Sequence, residues 1–180
     1  RSCEACMISV DGAPPPAPTL NDERERVIDP RVAYQITSIL KGAVQRGTGG
    51  AAKVLGRPVA GKTGTTNDSR DTWFIGYTPD YVIGTYVGFD TPKSMGEKET
   101  GGRVAIQGFI KFFELAGDTI PVKDFRAPPG IREVAINRQT GQPLYDGASD
   151  AEKKNVIKEA FLTGGPIFKP ANELAEELKD

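Results

Sequence analysis

One short run concentrates the residues of this chain that could do chemistry. Lys62-Thr63-Gly64-Thr65 places a cation beside two hydroxyls that are two positions apart, with a glycine between them. On an extended strand side chains alternate, so Thr63 and Thr65 project to one side and Lys62 and Gly64 to the other, local twist aside. Two neighbouring hydroxyls can grip a carboxylate. An adjacent lysine adds positive charge for that carboxylate and can lower the proton affinity of a nearby serine. Gly64 lets an extended peptide approach the backbone, and free strand amides can pair with that peptide and stabilise an oxyanion. The bland alternative is an ordinary strand with a solvent-facing lysine.

Other motifs compete for the same region. Gly56 through Thr63 matches the phosphate-loop pattern G-x-x-x-x-G-K-[ST], and the apolar run 81–89 ends in Asp90, as a magnesium-binding strand would. A phosphate loop needs a strand before Gly56 and a helix from Lys62. Residues 51–55 read only as a weak strand, residues 63–69 have low helix propensity, and Pro58 removes an amide from the loop. Ser38 and Lys41 satisfy S-x-x-K at helical spacing, but no S-x-N stands between them and Lys62. They read as the polar face of an amphipathic helix.

Composition removes further classes. Histidine is absent from the 180 residues, so no Ser-His-Asp or Cys-His machinery can form within the chain. Cys3 and Cys6 form a C-x-x-C pair followed closely by Pro14, Pro15 and Pro16. That context fits a local disulfide or incidental thiols better than a redox or zinc site, and neither a metal nor a cofactor is expected. A net charge of −1 gives no reason to expect nucleic acid as a partner. No apolar run approaches the roughly 18–20 residues that span a bilayer, so the segment is expected to be soluble, without direct membrane insertion. The start at Arg1, with no Met, fits a piece whose targeting segment lies elsewhere.

The elements that must position Lys62 follow from periodicity. Residues 1–26 read as a linker or inserted loop, rich in Pro over 13–18 and mixed in charge over 21–26. Asp29 and Pro30 start a helix whose Val32, Ile36, Ile39, Leu40, Ala43 and Val44 make one apolar face. Arg46 and Gly47 end it. Strands are predicted over 57–65, 72–78 and 81–89, and their short connections require an antiparallel sheet. A glycine-rich loop over 96–102 precedes a second helix over 104–116, whose Ile106, Phe109, Ile110 and Phe113 form an apolar stripe widened by Phe112 and Leu115. The tail from 121 to 180 holds a short strand over 132–136, a turn over 137–141 and a terminal helix over 172–178.

Much of residues 27–165 resembles class A penicillin-binding proteins of the bifunctional 1A type. The likeness runs from Val27 to Pro30, through Val44 to Gly49, Gly61 to Asp68, Asp71 to Pro79 and Tyr86 to Asp90, to Thr100, Gly101 and Gly102. It is weaker at Asn137 to Gly141 and at Glu159 to Phe161. The resemblance implies an α+β fold: the antiparallel sheet flanked by helices of β-lactamases and transpeptidases, five-stranded in the complete domain and partial here. Residues 27–120 would be the C-terminal part of that domain. It implies a serine D,D-transpeptidase that acylates on the D-Ala-D-Ala end of peptidoglycan stem peptides and on β-lactams, in a parent that is also a glycosyltransferase. Carried over, Lys62 is catalytic, and Thr63, Gly64 and Thr65 bind substrate. The serine, the S-x-N motif and the anchor at the periplasmic face of the inner membrane would belong to the remainder of the same protein, leaving this chain inactive alone. A non-catalytic peptidoglycan- or partner-binding module and a nucleotide-binding protein are the competing readings.

Overall fold

The computed structural model describes residues 25–144, 149 and 153–164. Cys3, Cys6, the Pro-rich run and the helix expected over 172–178 lie outside these residues.

The first helix, α1 (Pro30–Arg46), begins where the capping residues predict. The Asp29 carboxylate accepts from the Arg31 amide at 2.8 Å and pairs with the Arg31 guanidinium at 2.6 Å. The guanidinium first, and the amide second, hold the Asp29 carboxyl at about 2, below the usual range. Pro30 occupies the first turn, where its missing N–H leaves no bond unmade.

After a 3-10 turn at Gly50–Leu55 come β1 (Ala60–Thr65), β2 (Asp71–Tyr77) and β3 (Val82–Gly88). They form an antiparallel sheet in the order β1-β2-β3. Helix α2 (Ala105–Ala116) follows, and then β4 (Ile131–Asn137) and β5 (Val156–Leu162) pair as a separate two-stranded antiparallel sheet.

Register fixes which side chains share a face. Lys62 lies opposite Ile75, Gly64 opposite Trp73, Thr63 opposite Phe74 and Thr65 opposite Thr72. Trp73 in turn faces Tyr86, and Phe74 faces Thr85. The Thr63–Phe74–Thr85 face packs against α2. There Phe74 and Phe109 are fully buried and meet edge to face, with centroids 5.1 Å apart. Burying one such ring stabilises the fold by roughly 1.5–3 kcal/mol. An added Cβ at Gly76 would come within 2.7 Å of the Phe109 ring, so the contact requires glycine there. Arg57 ties off the far end of α2: its guanidinium donates to the Gly117 and Ile120 carbonyls at 3.1 and 3.3 Å and lies 4.8 Å over the Phe113 ring.

On the opposite face, α1 covers the end of the sheet at Tyr77, where the Thr37 and Tyr77 hydroxyls lie 3.1 Å apart. Beyond α1, Ile75 and Trp73 remain 50% and 44% exposed. The second sheet docks on α1 through polar ties. Gln35 Nε2 donates to the Ala160 carbonyl at 3.0 Å, Ser38 Oγ to Glu159 at 3.3 Å, and Arg46 pairs with Glu159 at 3.2 Å.

Several sequence expectations change. Residues 51–55 form a 3-10 turn rather than a weak strand, and β1 begins at Ala60 rather than at 57. The apolar stripe of α1 packs only over its C-terminal half, where Val44 is buried in the core and Leu40 and Ala43 are half-buried. Val32, Ile36 and Ile39 at its N-terminal end are exposed, and Gln35, Thr37 and Ser38 beside them make the ties to β2 and β5 instead. Phe112 and Leu115 on α2 are likewise exposed. Strand β5 was not foreseen, and β4–β5 does not extend the three-stranded sheet. No helix among the described residues is long and apolar enough to cross a membrane.

Candidate functional site

Among the described residues, strand β1 is an edge strand, paired only with β2. Its last four residues, Lys62 to Thr65, divide between the two faces as alternation requires. Lys62 is exposed on the open face, and its Nζ donates to the Thr63 carbonyl at 2.7 Å. Thr63 and Thr65 lie on the α2 side. Thr63 Oγ1 is 2.6 Å from Thr48 Oγ1, and Thr65 Oγ1 accepts from the Gly101 amide at 3.0 Å. Thr48, Thr63, Thr65, Thr100, Gly102 and Arg103 line a cleft of about 340 Å³.

Three segments build this cleft. The turn after α1 supplies Thr48; Gly49 folds back there, its amide donating to the Ala43 carbonyl at 3.0 Å. β1 supplies the hydroxyl pair. The segment before α2 supplies Thr100 to Arg103. At Gly101 a Cβ would overlap the carbonyl oxygens of Gly64 and Trp73, so this segment can lie on the β1–β2 ladder only as glycine. Beyond the cleft, Thr66 closes the β1–β2 connection: its amide donates to the Asp71 carbonyl at 3.0 Å and its Oγ1 accepts from the Asp71 amide at 2.8 Å.

On the open face, the Trp73 and Tyr86 rings meet at a tilt of 53° with centroids 4.9 Å apart, and the Tyr86 hydroxyl donates to Asp71 at 2.6 Å. That hydrogen bond, reinforced by desolvation, raises the Tyr86 phenol above its ordinary value. A larger groove of about 820 Å³ lies elsewhere, between α1 and residues 122–128. Its Lys123 and Asp124 are each already paired, with Asp80 and Lys41, whereas the smaller cleft holds the hydroxyl pair.

The competing motifs come apart in three dimensions. Lys62 and Thr63 sit inside a strand that continues to Thr65, not at a helix N-terminus, so the phosphate-loop match has no phosphate-loop geometry. Ser38 is engaged with Glu159 and Lys41 with Asp124, so this S-x-x-K pair turns to two different partners. Among the described residues no cluster of acidic, Cys or His side chains could hold a metal. Sequence reasoning missed Thr48, Gly101 and Arg103 as neighbours of the hydroxyl pair. The adjacent glycines Gly101 and Gly102 were the available signal, since such pairs mark close backbone approach.

Residues 17–110 match the penicillin binding protein transpeptidase domain. The chain belongs to the penicillin-binding transpeptidase family. Relatives of this transpeptidase segment carry the same family's name. It is 47% identical over 162 residues to penicillin-binding protein 1A of Rickettsia typhi, covering 88% of this chain and 20% of the relative. It is 45% identical over 128 residues to penicillin-binding protein 1A of Pseudomonas aeruginosa, covering 71% of this chain and 16% of the relative. The crystal structure of penicillin-binding protein 1A from Haemophilus influenzae is similar at a TM-score of 0.65 and 32% identity, over 77% of this chain and 21% of that one. The segment thus spans about a fifth of the length of the relatives it matches. The α+β fold of a partial transpeptidase domain, its antiparallel sheet flanked by helices, agrees with this likeness.

Proposed function

We propose that this segment supplies the carboxylate-binding and oxyanion wall of a serine D,D-transpeptidase that cross-links peptidoglycan. The observation that carries this reading is the division of β1: Thr63 and Thr65 present neighbouring hydroxyls on one side, and Lys62 presents its ammonium on the other. The terminal carboxylate of a D-Ala-D-Ala stem peptide, or that of a β-lactam, is held by the Thr63 and Thr65 hydroxyls. Gly64 allows the peptide to lie along the free edge of β1, where the strand's amides pair with it. Lys62 favours ionisation of a serine that approaches from the open face and comes from the remainder of the same protein.

The chemistry balances in two steps. The serine oxygen forms an ester with the penultimate D-Ala carbonyl, and the terminal D-Ala leaves as an amine carrying the displaced proton. The amine of a second stem peptide then attacks that ester, forming the cross-link amide and returning the proton to the serine. In this reading the parent works on the periplasmic face of the inner membrane, anchored outside this segment, and also polymerises glycan strands. Residues 27–120 form the C-terminal part of its transpeptidase domain.

Labelling of the full-length protein with fluorescent penicillin tests the assignment. Lys62→Ala should remove most of the label. Unchanged labelling would sink the role given to Lys62.

A further inference from the structure

Binding an anion uses a hydroxyl's proton, not its lone pairs. At Thr65 a lone pair is already engaged, because the Gly101 amide donates to Oγ1 at 3.0 Å. The Thr65 proton therefore remains available for a ligand. At Thr63 the partner is Thr48, whose hydroxyl lies at 2.6 Å, within the range of a strong O–H···O bond. When Thr48 donates, Thr63 is left in the same state as Thr65, with its proton free to point into the cleft.

Thr48 is itself fixed from two sides. Gly49 locks the turn back onto α1, and Gly102 presses so closely on the Thr48 carbonyl that a Cβ there would overlap it. Charge completes the picture. Among the described residues, Arg103 lines the cleft, and neither Asp nor Glu does. Lys62 emerges on the opposite face of β1, so the cation on the hydroxyl side is Arg103.

We infer that Thr48 and Arg103 belong to the anion site of this segment. Thr48 is a positioning residue that turns the Thr63 proton toward a bound carboxylate, and Arg103 is a binding residue that supplies charge on the hydroxyl side. The inference rests on the carboxylate-binding reading above and extends it to two residues outside the K-T-G-T run.

Acylation rates of the full-length protein with benzylpenicillin and with its methyl ester test this, because the ester lacks the anion. Thr48→Val and Arg103→Gln should each slow acylation by the free acid about tenfold, the scale of a hydrogen bond or ion pair to a charged group, and change the ester rate less than about twofold. Thr48→Ser, which restores the hydroxyl, should recover the free-acid rate. Equal losses on acid and ester would mean that the residues only support the fold, and would overturn the inference. So would unchanged rates for the free acid. Thr63→Ala and Thr65→Ala separate the two layers. If they slow only the free acid while Thr48→Val and Arg103→Gln do not, the inference fails and the carboxylate reading stands. If they leave the free-acid rate unchanged, the carboxylate reading fails and takes the inference with it.

Discussion

The two faces of the three-stranded sheet are built to different standards. Toward α2, Phe74, Ile106 and Phe109 are sealed, and glycine at Gly76 lets the rings close on the sheet. Toward the other side, Lys62, Trp73, Ile75 and Tyr86 remain exposed past the edge of α1. Strand β1 serves both faces through simple alternation. On the α2 side the Thr63 and Thr65 hydroxyls have hydrogen-bond partners in Thr48 and Gly101, while on the open side Lys62 stays accessible to solvent. Rigidity and access are separated by one residue along one strand.

The largest effect should come from breaking the closed face. Phe109→Ala should destabilise this chain by about 3–5 kcal/mol, read from the urea midpoint, because it removes a fully buried ring and leaves a cavity. Trp73→Ala, on the open face, should cost less than about 1 kcal/mol in the same chain. A much larger loss for Trp73→Ala in the full-length protein would sharpen the contrast, by showing that another part of the protein covers this face. Comparable losses for both residues in this chain would break it.

A smaller effect should follow where the two faces meet the cleft. Gly101→Ala must push its segment off the Gly64 and Trp73 carbonyls, at a cost of about 1–3 kcal/mol, with penicillin labelling of the full-length protein reduced as β1 shifts. A fully labelled Gly101→Ala protein would show that the 100–102 segment does not set the position of β1.

The smallest effect lies far from both faces. Because the Asp29 carboxyl is held at about 2, its contribution to α1 is complete above the ordinary carboxylate value of about 4 and is lost as pH falls through about 2. Thermal melts taken across that acid range should show this decline, and Asp29→Asn should flatten it.

Legibility in the sequence tracked how local each cause was. Asp29 and Pro30 announce the start of α1 because a cap and a first-turn proline act on their immediate neighbours. The alternation in β2 and β3, and the stripe on α2, are equally local signals. On α1 the apolar stripe is buried at Val44 but not at Val32, Ile36 and Ile39, because there Gln35, Thr37 and Ser38 make the ties to the two sheets. Strand β5 escaped because Lys158 and Glu159 interrupt its apolar residues and its partner β4 is remote in sequence. Along β1, the strand at Lys62 to Thr65 and its division into hydroxyl and lysine sides were readable from residue type and spacing. Thr48 and Arg103 were not, since their approach to Thr63 and Thr65 depends on the tertiary path of two glycine-bearing segments.

The polar docking of β4–β5 has a dynamic consequence. Ile136 and Ala160 are buried within that pair but stand outside the main apolar cluster, and Gln35, Ser38 and Arg46 tie the pair to α1 through polar side-chain contacts. A unit fastened this way can detach without exposing Phe74 or Phe109. Its amides should therefore exchange with solvent through a partial opening, faster than those of β2, and high salt should widen the gap by screening the Arg46–Glu159 pair.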